Sequence, residues 1–299
     1  VRGSGKTVMM TEISQKLREN DQWIVIELNP ATDLLKGLLS KLNSNKVCAG
    51  IIKSAKIDLS FFGFGVAIEG MSPITDEETA IIVILEKMKK NGKRLLITID
   101  EVTNNEFMQV FAGSFQIFVR QDLPVFLLAT GLYENIDEFQ NEKNLTFLYR
   151  APKIQLKPLN NRAIMNKYKT IFKIESEHAA KMAELTKGYP FAFQVLGDLC
   201  WKNETTWERV LPEFSQYLEE YVYEKLWSEL SKSDKELLTA MAKTADNKVE
   251  AIRKTMKKAS NSFSVYRNRL IKKGVITSPE YGHLDFTLPR FKEFVLRER

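Results

Sequence analysis

Apolar positions along this chain repeat with two periods, and the places where the period changes mark its elements. Met9, Ile13 and Leu17 recur at i, i+4 and i+8, which predicts a helix from Thr7 to about Glu19. Trp23-Ile24-Val25-Ile26-Glu27-Leu28 reads as a strand ended by Asn29-Pro30. Leu34, Leu35, Leu38, Leu39 and Leu42 then fall on one helical face. Strand and helix in alternation predict a parallel sheet with crossover helices.

From about residue 56 to 69 the period drops to two, with Ile57, Leu59 and Phe61 on one side and Phe64, Val66 and Ile68 after Phe62-Gly63. This predicts an inserted β-hairpin, its apolar face packed on its own domain or offered to a partner protein. Thr75 with Glu78 forms a capping-box signature, so the β-branched run Ile81–Leu85 is assigned to a helix ending at Asn91-Gly92. Leu95–Ile99 runs straight into Asp100-Glu101, as a buried parallel strand does when its carboxyl end opens on a site. A helix from about Asn105 to Gln121, a strand at 124–131 ending in Thr130-Gly131, and a last core strand at 151–159 preceded by Arg150 complete this part.

The remainder is largely helical: a helical region from about Asn160 to Trp201, then an aromatic-rich linker helix to about Leu230. Ser233 and Glu236 predict a cap ahead of Leu237, Leu238 and Met241. Helices at about 249–258 and 262–273 follow, the second ended by Gly274. Alternation at 275–277 and 284–288 around Glu280-Tyr281-Gly282 predicts a two-stranded wing. Three short helices plus a hairpin spell a winged helix-turn-helix. The expected division is therefore an α/β parallel-sheet core at 1–158, a helical lid and linker at 159–230 and a winged helix domain at 231–299.

The candidate chemistry begins at the first residues. Val1-Arg2-Gly3-Ser4-Gly5-Lys6-Thr7 matches G-x-x-x-x-G-K-[ST] after its leading glycine. In such a loop the backbone N–H groups of Arg2, Gly3, Ser4, Gly5, Lys6 and Thr7 cradle phosphates. Lys6 reaches the β/γ oxygens and the Thr7 hydroxyl ligates Mg²⁺. A buried strand is expected before Val1, so the chain reads as a fragment of a longer sequence that would not fold well alone. Asp100 would hold the Mg²⁺ shell, and Glu101 would orient and activate the attacking water. Thr130 is either placed to bond that water or the γ-phosphate, or is simply a threonine at a strand end. Arg150 either stabilises transition-state charge, in cis or across a subunit interface, or is a solvated arginine.

Charge refines this picture. The net charge is +6 over 299 residues, yet residues 251–273 hold eight basic side chains and no acidic one. These are Arg253, Lys254, Lys257, Lys258, Arg267, Arg269, Lys272 and Lys273, with Asn268 among them able to read a base edge. They account for more than the whole net charge, so the basic character is one patch rather than a general property. Such a patch suits duplex DNA; the competing reading is a regulatory module packed on the ATPase. Cys48 and Cys200 lie far apart without metal spacing, which points to a reduced, cytoplasmic setting. His178 and His283 also lack a ligand pattern, and no apolar run approaches the ~20 residues of a membrane helix.

Lys6-Thr7, Asp100-Glu101, Thr130, Gly188-Tyr189-Pro190 and the basic C-terminal region together resemble an AAA+-related P-loop ATPase. More narrowly, the chain resembles the STAND-like group often called archaeal ATPases, over essentially its whole length. The resemblance implies that the loop is Walker A, Leu95–Glu101 Walker B, Thr130 sensor 1, and the region 160–201 a lid closing over the nucleotide. It also implies that Tyr189-Pro190 is part of a Gly-x-Pro motif whose proline approaches the adenine base. Phe191-Ala192-Phe193-Gln194 carries no sensor 2 arginine, a departure that favours the STAND-like reading. The expected function is ATP binding and hydrolysis controlling the winged helix. The alternative is a slow-hydrolysing switch acting through protein partners or homo-oligomerisation.

Overall fold

Three short apolar runs, β1 (Trp23–Leu28), β2 (Arg94–Ile99) and β3 (Val125–Ala129), pair in parallel in that order. The computed structural model that shows them describes residues 1–64, 73–143, 145–256 and 260–298. Packing divides the chain into two units, residues 6–154 and residues 155–299 together with 1–5.

In the first unit, α1 (Lys6–Arg18) leads into β1. Between β1 and β2 lie α2 (Leu34–Ser44), α3 (Lys46–Ser54) and α4 (Glu77–Lys90). Between β2 and β3 lies α5 (Glu106–Arg120), and α6 (Tyr133–Gln140) follows. Parallel neighbours need such crossovers, and the sequence supplies them where the apolar period is 3.6. Leu95 to Ile99 are all buried, so β2 is central. In β1 only Ile24, Ile26 and Leu28 are buried, giving it one covered face. These strands join Leu38, Leu42, Ile81, Ile84, Phe111 and Phe118 in one core. At β3 Phe126 is 48% exposed, and among the described residues no further strand pairs with its outer edge.

Three local expectations need correction here. The Ile81–Leu85 run is helical, but the cap is Asp76, whose carboxylate accepts from the Thr79 N–H at 2.8 Å. A carboxylate at the positive end of a helix is a stronger acceptor than the Thr75 hydroxyl. Glu78, the other half of the expected box, instead accepts from the Ser114 hydroxyl at 2.6 Å.

The first arm of the expected hairpin is not a strand. Ile57 and Leu59 are buried, but Ser60–Phe62 form a 3-10 turn closed by Gly63. The N–H groups of Phe62 and Gly63 bond back to the carbonyls of Leu59 and Ser60, so the local turn uses the groups a partner strand would need. Val66 and Ile68 lie outside the described residues.

The last core strand is also absent. A 3-10 turn at Thr146–Arg150 runs into an irregular segment, where Pro152 and Pro158 lack N–H donors and Ile154 is 70% exposed.

The second unit is helical: α7 (Asn161–Phe172), α8 (Ser176–Thr186), α9 (Pro190–Lys202), α10 (Trp207–Leu218), a π turn at Glu219–Tyr223 and α11 (Glu224–Ser228). Then come α12 (Lys232–Lys243), α13 (Val249–Met256), α14 (Ser260–Lys272), an antiparallel pair β4 (Ile276–Thr277) and β5 (Asp285–Phe286), and α15 (Phe291–Arg297). The single linker helix expected from 201 to 230 is broken, because Asn203 caps α9 and Glu204 takes a left-handed backbone. The cap of α12 is Ser231 with Asp234, a capping box two residues earlier than the expected Ser233–Glu236 pair. Tyr168, Leu196, Phe214, Tyr223, Leu230, Leu237 and Phe291 belong to one continuous core, so packing does not pause at the expected boundary near residue 230. Among the described residues, no helix is long and apolar enough to cross a membrane.

Candidate functional site

In the first unit, the strand register builds a polar cluster. Ile99 pairs with Ala129, so the next residues, Asp100 and Thr130, emerge side by side at the carboxyl ends of β2 and β3. The backbone continues that pairing, with Thr130 N–H bonded to the Ile99 carbonyl at 2.9 Å and Val102 N–H to the Thr130 carbonyl at 2.8 Å. The Thr130 hydroxyl donates to one Asp100 carboxylate oxygen, and the Thr7 hydroxyl, from the first turn of α1, donates to the other at 2.6 Å. The Glu101 N–H donates to Asp100 Oδ1 at 3.0 Å. Glu101 is exposed and holds a left-handed backbone (φ 53°), which turns the chain out of strand geometry directly after Asp100. Beyond it, Asn105 caps α5 through the Met108 N–H and donates to the Pro30 carbonyl at 2.9 Å, which ties the turn after β1 to the turn after β2. Arg150 is exposed at the end of its 3-10 turn.

Burial pushes the Asp100 carboxyl up. The hydrogen bonds from Thr130, Thr7 and the Glu101 N–H, with the nearby positive charge of Lys6, more than offset that and hold it below the ordinary carboxylate range. A depressed folded-state pKa favours the ionised form, so its contribution is complete above the ordinary value and is lost as pH falls through the lowered one. Thr130→Val removes one of the lowering contributions. The expected result is an Asp100 titration midpoint moved to higher pH, followed by carboxyl NMR, with little change at neutral pH. An unmoved midpoint would show that the Thr130 hydroxyl does not stabilise the carboxylate.

The second unit, which includes residues 1–5, gathers a cluster of its own. Gly3 and Gly5 have φ of +68° and +85°, which side chains disfavour. Tyr189 is only 6% exposed and donates its hydroxyl to the Arg2 carbonyl at 2.6 Å; burial pushes this phenol up, so it stays a donor. The Phe191 N–H donates to the Gly3 carbonyl at 3.2 Å, and a Cβ on Gly5 would stand 3.6 Å from Pro190 Cγ. The Arg2 guanidinium pairs with Glu229 at 3.1 Å. Tyr189 and Pro190, singled out from the Gly-Tyr-Pro motif, are thus gathered with Arg2, Gly3 and Gly5. The Tyr189 bond to the loop joins residues 187 positions apart, and no sequence pattern marks it.

The basic patch is less uniform than its charge count. Arg253 and Lys254 are exposed on α13, and Asn268 and Lys272 are exposed on α14. Arg267 and Lys273 are half-buried, and Lys257 and Lys258 lie outside the described residues. Arg269 departs from the expected free surface position. Its guanidinium grips Asp234, itself 1% exposed, at 2.6 and 2.9 Å and the Ser231 hydroxyl at 2.8 Å. A buried carboxylate without a partner is costly, so Asp234 draws this arginine inward. The Ser-x-x-Asp spacing from Ser231 marks Asp234 as half of a helix cap, but not as the partner of Arg269.

A family profile described as "Domain of unknown function (DUF8462)" matches residues 220–295. Comparison with curated proteins finds no match. Among solved structures, the Walker-type ATPase paby2304 of Pyrococcus abyssi superposes with a TM-score of 0.63 at 16% identity, over 99% of this chain and 89% of that one. The fold is that of a P-loop ATPase. The Aeropyrum pernix ORC1 protein in complex with DNA is also similar, with a TM-score of 0.43 at 13% identity over 99% of this chain and 84% of that one. In this P-loop ATPase fold, Thr7, Asp100 and Thr130 stand together at the carboxyl ends of the strands, the place where open α/β sheets bind their ligands.

Proposed function

We propose that the chain binds ATP with Mg²⁺ and hydrolyses its β–γ phosphoanhydride bond, water attacking the γ-phosphorus as ADP leaves, and that its nucleotide state controls the C-terminal helices and hairpin, read as a winged helix. The observation that carries this reading is the convergence of the Thr7 and Thr130 hydroxyls on the Asp100 carboxylate at the start of α1. A hydroxyl and a carboxylate 2.6 Å apart are hard oxygen donors of the kind Mg²⁺ takes. Among the described residues no cluster of three or more His, Cys, Asp or Glu gathers, which suits a metal that shares its shell with phosphate oxygens and water. When bound, Mg²⁺ would neutralise charge on the β- and γ-phosphates.

The protein side chains then have separable roles. Lys6 sets a point charge against the same oxygens, and the N–H groups of Arg2, Gly3, Ser4, Gly5, Lys6 and Thr7 supply fixed donors. Glu101 holds the attacking water and accepts its proton, and Thr130 orients that water or the γ-phosphate while keeping Asp100 ionised. Arg150 supplies charge to the transition state, and Tyr189 and Pro190 flank the nucleotide at the lid.

The C-terminal region is read as a duplex-DNA binder, supported by Arg253, Lys254 and Lys272 on exposed helix faces within a run free of acidic residues. The rival is a switch that acts through protein partners. One experiment separates these: ATP binding and phosphate release, with and without duplex DNA, at about 50 and 200 mM salt. Lys6→Ala is expected to weaken ATP binding by about tenfold or more, a loss of ~1.4 kcal/mol. Arg253→Ala with Lys254→Ala is expected to reduce DNA affinity and flatten its salt dependence by about one unit of slope per contact. Wild-type protein that fails to bind ATP would sink the whole reading. Turnover indifferent to DNA at both salt levels would leave the protein-partner switch.

A further inference from the structure

We infer that Tyr189 is a positioning residue, whose hydroxyl sets the phosphate loop through the Arg2 carbonyl. This role rests on the nucleotide reading above and follows from backbone geometry. In a trans peptide the C=O and the following N–H lie in one plane and point in opposite directions. The Arg2 carbonyl points at the Tyr189 hydroxyl, 2.6 Å away, so the Gly3 N–H points away from Tyr189. The Gly3 carbonyl points at the Phe191 N–H, 3.2 Å away, so the Ser4 N–H points away from Phe191.

Two consecutive peptide planes are therefore held with their carbonyls on the α9 side and their N–H groups facing the other way. That is the orientation an anion-binding concavity of backbone donors requires. The approach is close enough to demand glycine, because a Cβ on Gly3 would lie 2.9 Å from Phe191 Cβ. The tyrosine is itself fixed: its ring is buried beside Phe191, and Pro190 starts α9 directly after it. The ring supplies packing, and the hydroxyl supplies the loop contact.

The second unit contains its own control. Tyr168 is also buried, and its hydroxyl donates to the Phe193 carbonyl at 2.6 Å, the same chemistry away from the loop. Tyr189→Phe and Tyr168→Phe each remove one buried phenol–carbonyl bond and keep the ring, so both are expected to lower the melting temperature by similar amounts. Only Tyr189→Phe is expected to raise the KM and Kd for ATP, by about tenfold, with kcat within about threefold. Tyr168→Phe is expected to leave them within about twofold.

Equal losses of ATP affinity in the two variants would make Tyr189 merely structural and overturn the inference. Unchanged affinity in Tyr189→Phe, with a large loss in Tyr189→Ala, would assign the residue a ring contact instead and also overturn it. Wild-type protein without ATP affinity would defeat the nucleotide reading, and this role would fall with it. That result is distinguished from the other two by the wild-type titration.

Discussion

Glu101→Gln is expected to lower ATP turnover by about 10³-fold while leaving ATP binding within about threefold of wild type. The substitution keeps the size of the side chain and its backbone geometry but removes the proton acceptor. Binding is expected to survive because the groups assigned to the phosphates and the metal, Lys6, Thr7 and Asp100, are untouched. The Glu101 backbone supports a role beyond packing. It holds a left-handed conformation at a non-glycine residue, at a cost of about 1–2 kcal/mol, in an exposed place where no core contact demands it. The Asp100 carboxylate fixes that turn by accepting the Glu101 N–H, so the candidate metal ligand and the candidate base are set by one hydrogen bond. The check is phosphate release measured beside nucleotide binding. Turnover within threefold of wild type would remove Glu101 from the proton transfer, and equal loss of binding and turnover would make it a structural residue.

The parts of this protein that were legible in the sequence are those fixed by local pattern. β1, β2 and β3 stood out because their apolar runs end in turn or acidic residues, and α1, α2 and α5 because their leucine, isoleucine or phenylalanine positions repeat at helical spacing. Asp100 and Thr130 were each legible as the polar end of an apolar run, but their bond to one another was not, although parallel strands of similar length bring such ends together. Where two local signals competed, spacing alone chose the wrong residue. Thr75 and Ser233 both fit a capping pattern, but Asp76 and Ser231 offered the helix N-terminus a better acceptor or a reciprocal one.

What the sequence hid depends on contacts between distant residues. The alternation of Ile57 and Leu59 marks burial, and burial in an irregular segment produces the same pattern as a strand. The segment 151–159 has strand-like composition, but a strand also needs a partner edge and N–H donors, and two prolines remove donors there. Charge counting placed Arg269 with its basic neighbours, because it could not see that Asp234, 35 positions earlier, is buried beneath it. The continuous core of the second unit has the same origin. Each helix shows its apolar face in sequence, but the choice of which faces meet is made only in the folded chain.

Gly188→Ala is expected to be the most destabilising single change in the second unit among those considered, at about 3 kcal/mol or more. Gly188 has φ +71°, where an L side chain costs about 1–2 kcal/mol. A Cβ there would also stand 2.6 Å from the Leu159 carbonyl oxygen and 2.9 Å from Pro158 Cβ. Neither neighbour is the end of a flexible side chain, so relief requires the backbone to move. That backbone is held, because Leu159 N–H donates to the Gly188 carbonyl at 2.8 Å and Gly188 N–H donates to the buried Thr186 hydroxyl at 3.2 Å. Movement here would also disturb the next residue, Tyr189, and with it the bond to the Arg2 carbonyl. Gly282 separates the two contributions. Its φ is +80°, but a Cβ there would meet nothing within 4 Å, so Gly282→Ala carries the conformational cost alone, about 1–2 kcal/mol. For a unit of this size each kcal/mol shifts melting by about 2–4 °C, so Gly188→Ala should lower it by roughly 6–12 °C, clearly more than Gly282→Ala. Equal shifts in thermal unfolding would show that the Leu159 contact relaxes freely and that the Gly188 turn is held by its dihedral preference alone.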